Sequence, residues 1–74
     1  MRYSEFRVLV AEVFGDLGPS LVADQALGPL GDRTAAQALG DGEDPRAVWR
    51  ALCDAMQVPE ADRLGPNVRR LRRP

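Results

Sequence analysis

A chain of 74 residues carrying 33 apolar side chains, ten of them alanines, and 28% charged residues has room for one small domain with a thin core. A fold of this size buries only about 60% of its unfolded-chain surface. The apolar fraction is too high for a disordered segment. All ten basic residues are arginine, and lysine, histidine and isoleucine are absent; because Lys and Ile codons are AT-rich, a GC-rich genome accounts for this bias without invoking phosphate binding.

The first element is an amphipathic helix. Phe6, Leu9, Val10, Val13 and Leu17 recur at helical spacing, with Glu5, Arg7 and Glu12 on the opposite side. Ser4 suits the N-cap and Gly15 a left-handed stop, giving about ten residues. Pro19 suits the first turn of a second helix whose buried side would carry Leu21, Val22, Ala26 and Leu27, ending at Gly28-Pro29. Gly28 to Asp32 reads as a turn with Leu30 tucked inward.

Thr34 and Gln37 have capping-box spacing and open a helix of two turns, broken by Gly40-Asp41-Gly42. Asp44-Pro45 is the strongest start signal in the chain, an N-cap acid followed by proline where its missing N–H costs nothing. The helix that follows places Val48, Trp49, Leu52, Cys53 and Met56 on one face, with Arg46, Arg50, Asp54 and Gln57 largely outside, and Val58-Pro59 ends it. One more turn is expected between Pro59 and Leu64. No segment alternates as a strand would. The expected fold is all-α, a compact bundle of about four short helices with a helix-turn-helix-like segment, divided into a helical domain (1–64) and a flexible arginine-rich tail (65–74).

Charge is unevenly placed. Residues 1 to 62 hold eleven acids and five arginines, net −6, whereas residues 63 to 74 hold five arginines and no acid, net +5. Such a tail either attracts anions or folds back on the acidic body, and the sequence leaves both open. A single cysteine, Cys53, points to a reducing cytoplasm, and no uncharged stretch resembles an export signal or a membrane span.

Catalytic inventory is poor. Without histidine or lysine the usual base and the amine nucleophile are missing. Ser4, Ser20 and Thr34 sit at helix caps or starts, and Cys53 sits on an apolar face, where cysteine behaves as a small hydrophobe. The expectation is no enzyme and no cofactor. Asp41, Glu43 and Asp44 invite a calcium reading, but Pro45 and Leu52 stand where the EF-hand loop needs its fifth and twelfth ligands. One cysteine and no histidine exclude a zinc site. No metal is expected.

Two surfaces remain for a partner. On the Asp44 to Met56 helix, Trp49, Arg50 and Arg46 are candidate protein contacts, with core packing favoured for Trp49 itself. In the tail, Arg69, Arg70, Arg72 and Arg73 could contact an anion or nucleic acid. Ala38, Gly42 and Val48 match the register of helix-turn-helix DNA readers, but Gln37 and Glu43 fall at positions that should be apolar, and the would-be recognition helix begins with acids that phosphates repel. A protein-binding adaptor using the Asp44 to Met56 helix is therefore the leading expectation, and nucleic-acid binding through the tail and the helix-turn-helix-like segment is the alternative.

Phe6 with Val13-Phe14-Gly15, Leu30-Gly31-Asp32-Arg33-Thr34 with Ala38-Leu39, and above all Asp44-Pro45-Arg46 with Val48-Trp49-Arg50-Ala51-Leu52-Cys53 and Val58-Pro59 resemble the actinobacterial family known as domain of unknown function 3046. The resemblance covers most of residues 1 to 63. It implies a compact helical protein of similar length, often encoded near the recombinase and its regulator, with no assigned activity or site. The sequence departs from the family in lacking a histidine in the second helix and in its arginine-rich end.

Overall fold

The computed structural model describes residues 1–63. Four α-helices follow one another: α1 (Tyr3–Phe14), α2 (Gly18–Asp24), α3 (Ala35–Gly40) and α4 (Pro45–Ala55). Single 3₁₀ turns at Gly15–Leu17, Gly28–Leu30 and Glu60–Asp62 link or follow them. Between α2 and α3, β1 (Ala26–Leu27) and β2 (Arg33–Thr34) form an antiparallel ribbon that pairs Ala26 with Thr34 and Leu27 with Arg33. The bundle is thus not purely helical. Strands of two residues are too short to show any alternation, which is why the pattern along the chain concealed them.

Helix α1 starts two residues earlier than Ser4 would dictate. The Glu5 carboxylate accepts the backbone N–H of Arg2 at 3.4 Å, so the end is held from the third helical position and Ser4 lies exposed inside the first turn. Gly15, at φ 61°, ends it. Phe6 and Val10 are buried, and Leu9, Val13 and Phe14 pack partly against the core. Leu17 is 69% exposed, because the 3₁₀ turn that begins at Gly15 changes the helical phase and swings it off the apolar side.

Helix α2 ends at Asp24, four residues short of Gly28-Pro29. Ala26 and Leu27 therefore sit on an extended segment, where neighbouring side chains point to opposite faces. Leu27 is fully buried and Ala26 exposed. The following turn carries Leu30 into the core, 8% exposed, with Gly31 and Asp32 in left-handed conformation. Helices α1 and α2 approach so closely that a Cβ on Gly18 would lie 2.6 Å from Val10 Cγ1 and 3.2 Å from Val10 O.

The two capping motifs form as their residues dictate. Thr34 Oγ1 accepts from the Gln37 N–H at 3.1 Å while Gln37 Oε1 accepts from the Thr34 N–H at 2.9 Å. Asp44 Oδ1 accepts from the Arg46 N–H at 3.1 Å, with Pro45 at the first helical position. Both helices close in the same way. At the end of α3, Glu43 N–H reaches the Ala38 carbonyl and Gly42 N–H that of Leu39, with Gly42 at φ 94°. At the end of α4, Val58 N–H reaches Cys53 and Gln57 N–H reaches Asp54, with Gln57 at φ 57°. These are paired Schellman bonds around a left-handed residue.

Helix α4 is the centre of the core. It buries Val48, Trp49, Ala51, Leu52 and Cys53, whereas Met56 at its end is 38% exposed. Trp49 stacks edge-on against Phe6 (5.9 Å, 88°) and Phe14 (5.8 Å, 68°), joining α1 to α4. Burying such an indole contributes about 4 to 6 kcal/mol of gross transfer free energy, the largest single side-chain share in a core this thin. No helix among the described residues is long and apolar enough to cross a membrane.

Candidate docking groove

The sequence candidates on α4 converge at one place. Arg46 and Arg50, four residues apart, stand one turn above the other and form one wall of a groove between α4 and α1. Glu5, Val8, Leu9 and Glu12, at the spacing of a single helix face, line the α1 side, joined by Met1 and Ser4. Glu60 and Arg63 close one end from the turn after α4. The groove therefore has an acidic wall, a basic wall and an apolar floor.

Trp49 belongs to the core and not to the surface. It is 5% exposed, and it meets the groove only where its indole underlies the floor. Its Nε1 donates to the Arg63 carbonyl at 2.9 Å, which satisfies the one polar atom of the ring. An anchor that inserts into a partner must leave its own protein, whereas Trp49 stays in the core beneath the groove. The apolar surface available to a ligand is supplied by Val8, 55% exposed, with Met1 and Leu9.

The arginines divide into two kinds that composition could not separate. Arg33 is fully engaged: its Nε donates to the Leu30 carbonyl at 2.8 Å, and its two terminal nitrogens reach Asp41 at 3.1 Å and Glu43 at 3.4 Å. Arg63 is similarly held, with Nε on the Val58 carbonyl at 2.9 Å and a terminal nitrogen 2.8 Å from Asp54. By contrast, the exposed side chains of Arg46 and Arg50 have no hydrogen bond or ion pair to another described residue. A guanidinium with five donors and no protein partner is the residue type best suited to bind a carboxylate.

The same ion pairs change the reading of the Asp41 to Asp44 loop. Two of its three acids are already neutralised by Arg33 and the third caps α4, so the cluster fastens the α3–α4 turn. In the helix-turn-helix register, Ala38 and Val48 are fully buried and Gly42 takes the left-handed turn position. Gln37 and Glu43, which that register would turn inward, face outward: Gln37 caps β2–α3 and Glu43 pairs with Arg33.

Cys53 is fully buried, and desolvation pushes its thiol from 9.0 up to about 11, with Arg63 pulling down and Asp54 adding to the rise. At neutral pH it is a protonated core side chain and not a nucleophile. Arg69, Arg70, Arg72 and Arg73, like the proposed 65–74 tail as a whole, lie outside the described residues.

Fold and groove together define a small helical domain with a two-stranded ribbon, in which a mixed-charge apolar groove brings together all three α4 candidates. The chain belongs to the family described as protein of unknown function (DUF3046), whose profile matches residues 1–61. No curated protein and no solved structure matches it. The family match ends two residues before Arg63.

Proposed function

We propose that this chain is a non-enzymatic binding module of a reducing cytoplasm that docks a protein segment in the α1–α4 groove. The observation that carries this reading is the juxtaposition of two exposed guanidinium groups without a partner among the described residues, Arg46 and Arg50, with the apolar strip of exposed Val8 and half-buried Leu9. A groove flanked by apolar side chains at helical spacing is the shape an amphipathic partner helix fills, and two arginines along one rim select acidic residues at its edge. Lack of histidine and lysine, and the burial of Cys53, support binding over catalysis.

The test is affinity capture with the full chain and with two variants, Arg46→Glu/Arg50→Glu and Val8→Glu. Each alters exposed side chains and leaves the core intact. A protein retained by the wild-type chain and lost with both variants, followed by direct binding of the purified pair, supports the reading. Retention by both variants, or recovery of nucleic acid whose binding falls steeply with salt, overturns it.

A further inference from the structure

The charges that line the α1–α4 groove balance. Glu12 and Arg63 are already engaged within the chain. Of the other charged side chains in the lining, Glu5 and Glu60 are acids and Arg46 and Arg50 are bases, and none of the four has an ion pair with another described residue. Glu5 uses one carboxylate oxygen to accept the Arg2 N–H at 3.4 Å, which leaves the other for a partner. A purely acidic or purely basic segment would neutralise one wall and be repelled by the opposite one. A surface that carries both signs in the same arrangement meets each wall with opposite charge, and the chain itself has such a surface.

The geometry suits a second copy. Val8, 55% exposed, lies on the same face of α1 as Glu5, with half-buried Leu9 beside it. Phe6 meets Trp49 edge-on at 5.9 Å, so their chain neighbours Glu5 and Arg50 stand near one height on opposite walls. A two-fold axis parallel to α1 lays α1 of each copy in the groove of the other and preserves that height. It therefore brings Glu5 of each copy to Arg46 and Arg50 of the other, and Val8 onto the other copy's apolar strip. With a formal net charge of −1 per chain, two copies approach with little long-range repulsion.

We propose that the segment docked in the α1–α4 groove is α1 of a second copy, in a two-fold dimer with Val8 at its centre and Glu5 of each chain against Arg46 and Arg50 of the other. This rests on the docking role proposed above and names the partner.

Sedimentation equilibrium of the full chain from about 10 µM to about 1 mM should show monomer and dimer in exchange. Arg46→Glu/Arg50→Glu and Glu5→Arg each set like charges opposite one another across the axis, so each should raise the dissociation constant at least about tenfold. An equimolar mixture of these two variants should recover a heterodimer within about threefold of the wild-type constant, because each chain supplies the charge that the other lacks. The recovered dimer also shows that Glu5→Arg, which removes the α1 cap, is folded. Val8→Glu should be monomeric alone and in every mixture. A wild-type chain that is monomeric to about 1 mM, a dimer that these variants leave unchanged, or a mixture that stays monomeric overturns the proposal. The docking role fails separately: a monomeric chain that still captures a protein through Arg46, Arg50 and Val8 has a different occupant in the groove, whereas one that captures nothing has no docking role.

Discussion

The indole nitrogen of Trp49 and the carbonyl oxygen of Arg63 lie 2.9 Å apart across fourteen residues, and this bond fastens the turn after α4 onto the helix that organises the core. Trp49→Phe keeps an aromatic ring against Phe6 and Phe14 but removes the donor, leaving the Arg63 carbonyl without its partner. The expected loss is about 1 to 3 kcal/mol, against about 3 to 5 kcal/mol for Trp49→Ala, which also opens a cavity. Urea denaturation of the three proteins decides this. A Trp49→Phe midpoint equal to wild type would show that the bond contributes nothing.

Burial of Cys53 makes stability depend on alkaline pH. The folded state holds the thiol at about 11 against 9.0 for the free group, so below pH 9 both states are protonated and the contribution is fully present. Above pH 9 the unfolded chain gains free energy by losing the proton while the folded chain cannot, and stability falls until the pH passes about 11. The loss is roughly 2 to 3 kcal/mol across that window. Denaturant midpoints measured from pH 8 to 11 should fall more steeply for the wild type than for Cys53→Ala. Parallel curves would place the ionisation elsewhere.

Much of this arrangement could be read along the chain, and the failures share a cause. Asp44-Pro45 and Thr34 with Gln37 were legible because a cap is a local device whose donor and acceptor lie within three residues. Leu30 was legible because a turn leaves a leucine few other places. Phase was not: a single 3₁₀ turn moved Leu17 to the surface, and a two-residue strand took Leu27 from α2. Arg63 was missed as part of the candidate groove because its three partners lie five to fourteen residues upstream, and neither its residue type nor its charge distinguishes it from the arginines that follow. Trp49 was read as core, yet only the fold showed that its neighbours Arg46 and Arg50 border an apolar groove on α1.

Gly18 provides a steric test of how tightly α1 and α2 are packed. Its backbone is helical, so an alanine meets no conformational penalty and gains helix propensity of up to about 1 kcal/mol. The added Cβ, however, would sit 2.6 Å from Val10 Cγ1 and 3.2 Å from the Val10 carbonyl, and the carbonyl belongs to the rigid interior of α1. Overpacking of this kind costs about 1 to 3 kcal/mol. Gly18→Ala should therefore lower stability, and Gly18→Ala/Val10→Ala should recover part of the loss by removing the Val10 methyl groups that clash. A stabilised Gly18→Ala would mean that the two helices can separate without cost.

Gln57 occupies the left-handed position that closes α4, at φ 57°, where a side chain costs roughly 1 to 2 kcal/mol relative to the right-handed helix. The Val58 and Gln57 amide bonds to Cys53 and Asp54 need this conformation and not the glutamine, whose side chain is exposed. Gln57→Gly removes the strain while adding entropy to the unfolded chain. The net result is a gain of about 0.5 to 1 kcal/mol and a Tm higher by a few degrees. Gln57→Ala retains the Cβ and should give no such gain. Thermal melts of the pair separate strain from side-chain effects: equal shifts for Gly and Ala would show that the left-handed backbone at this position stores no strain.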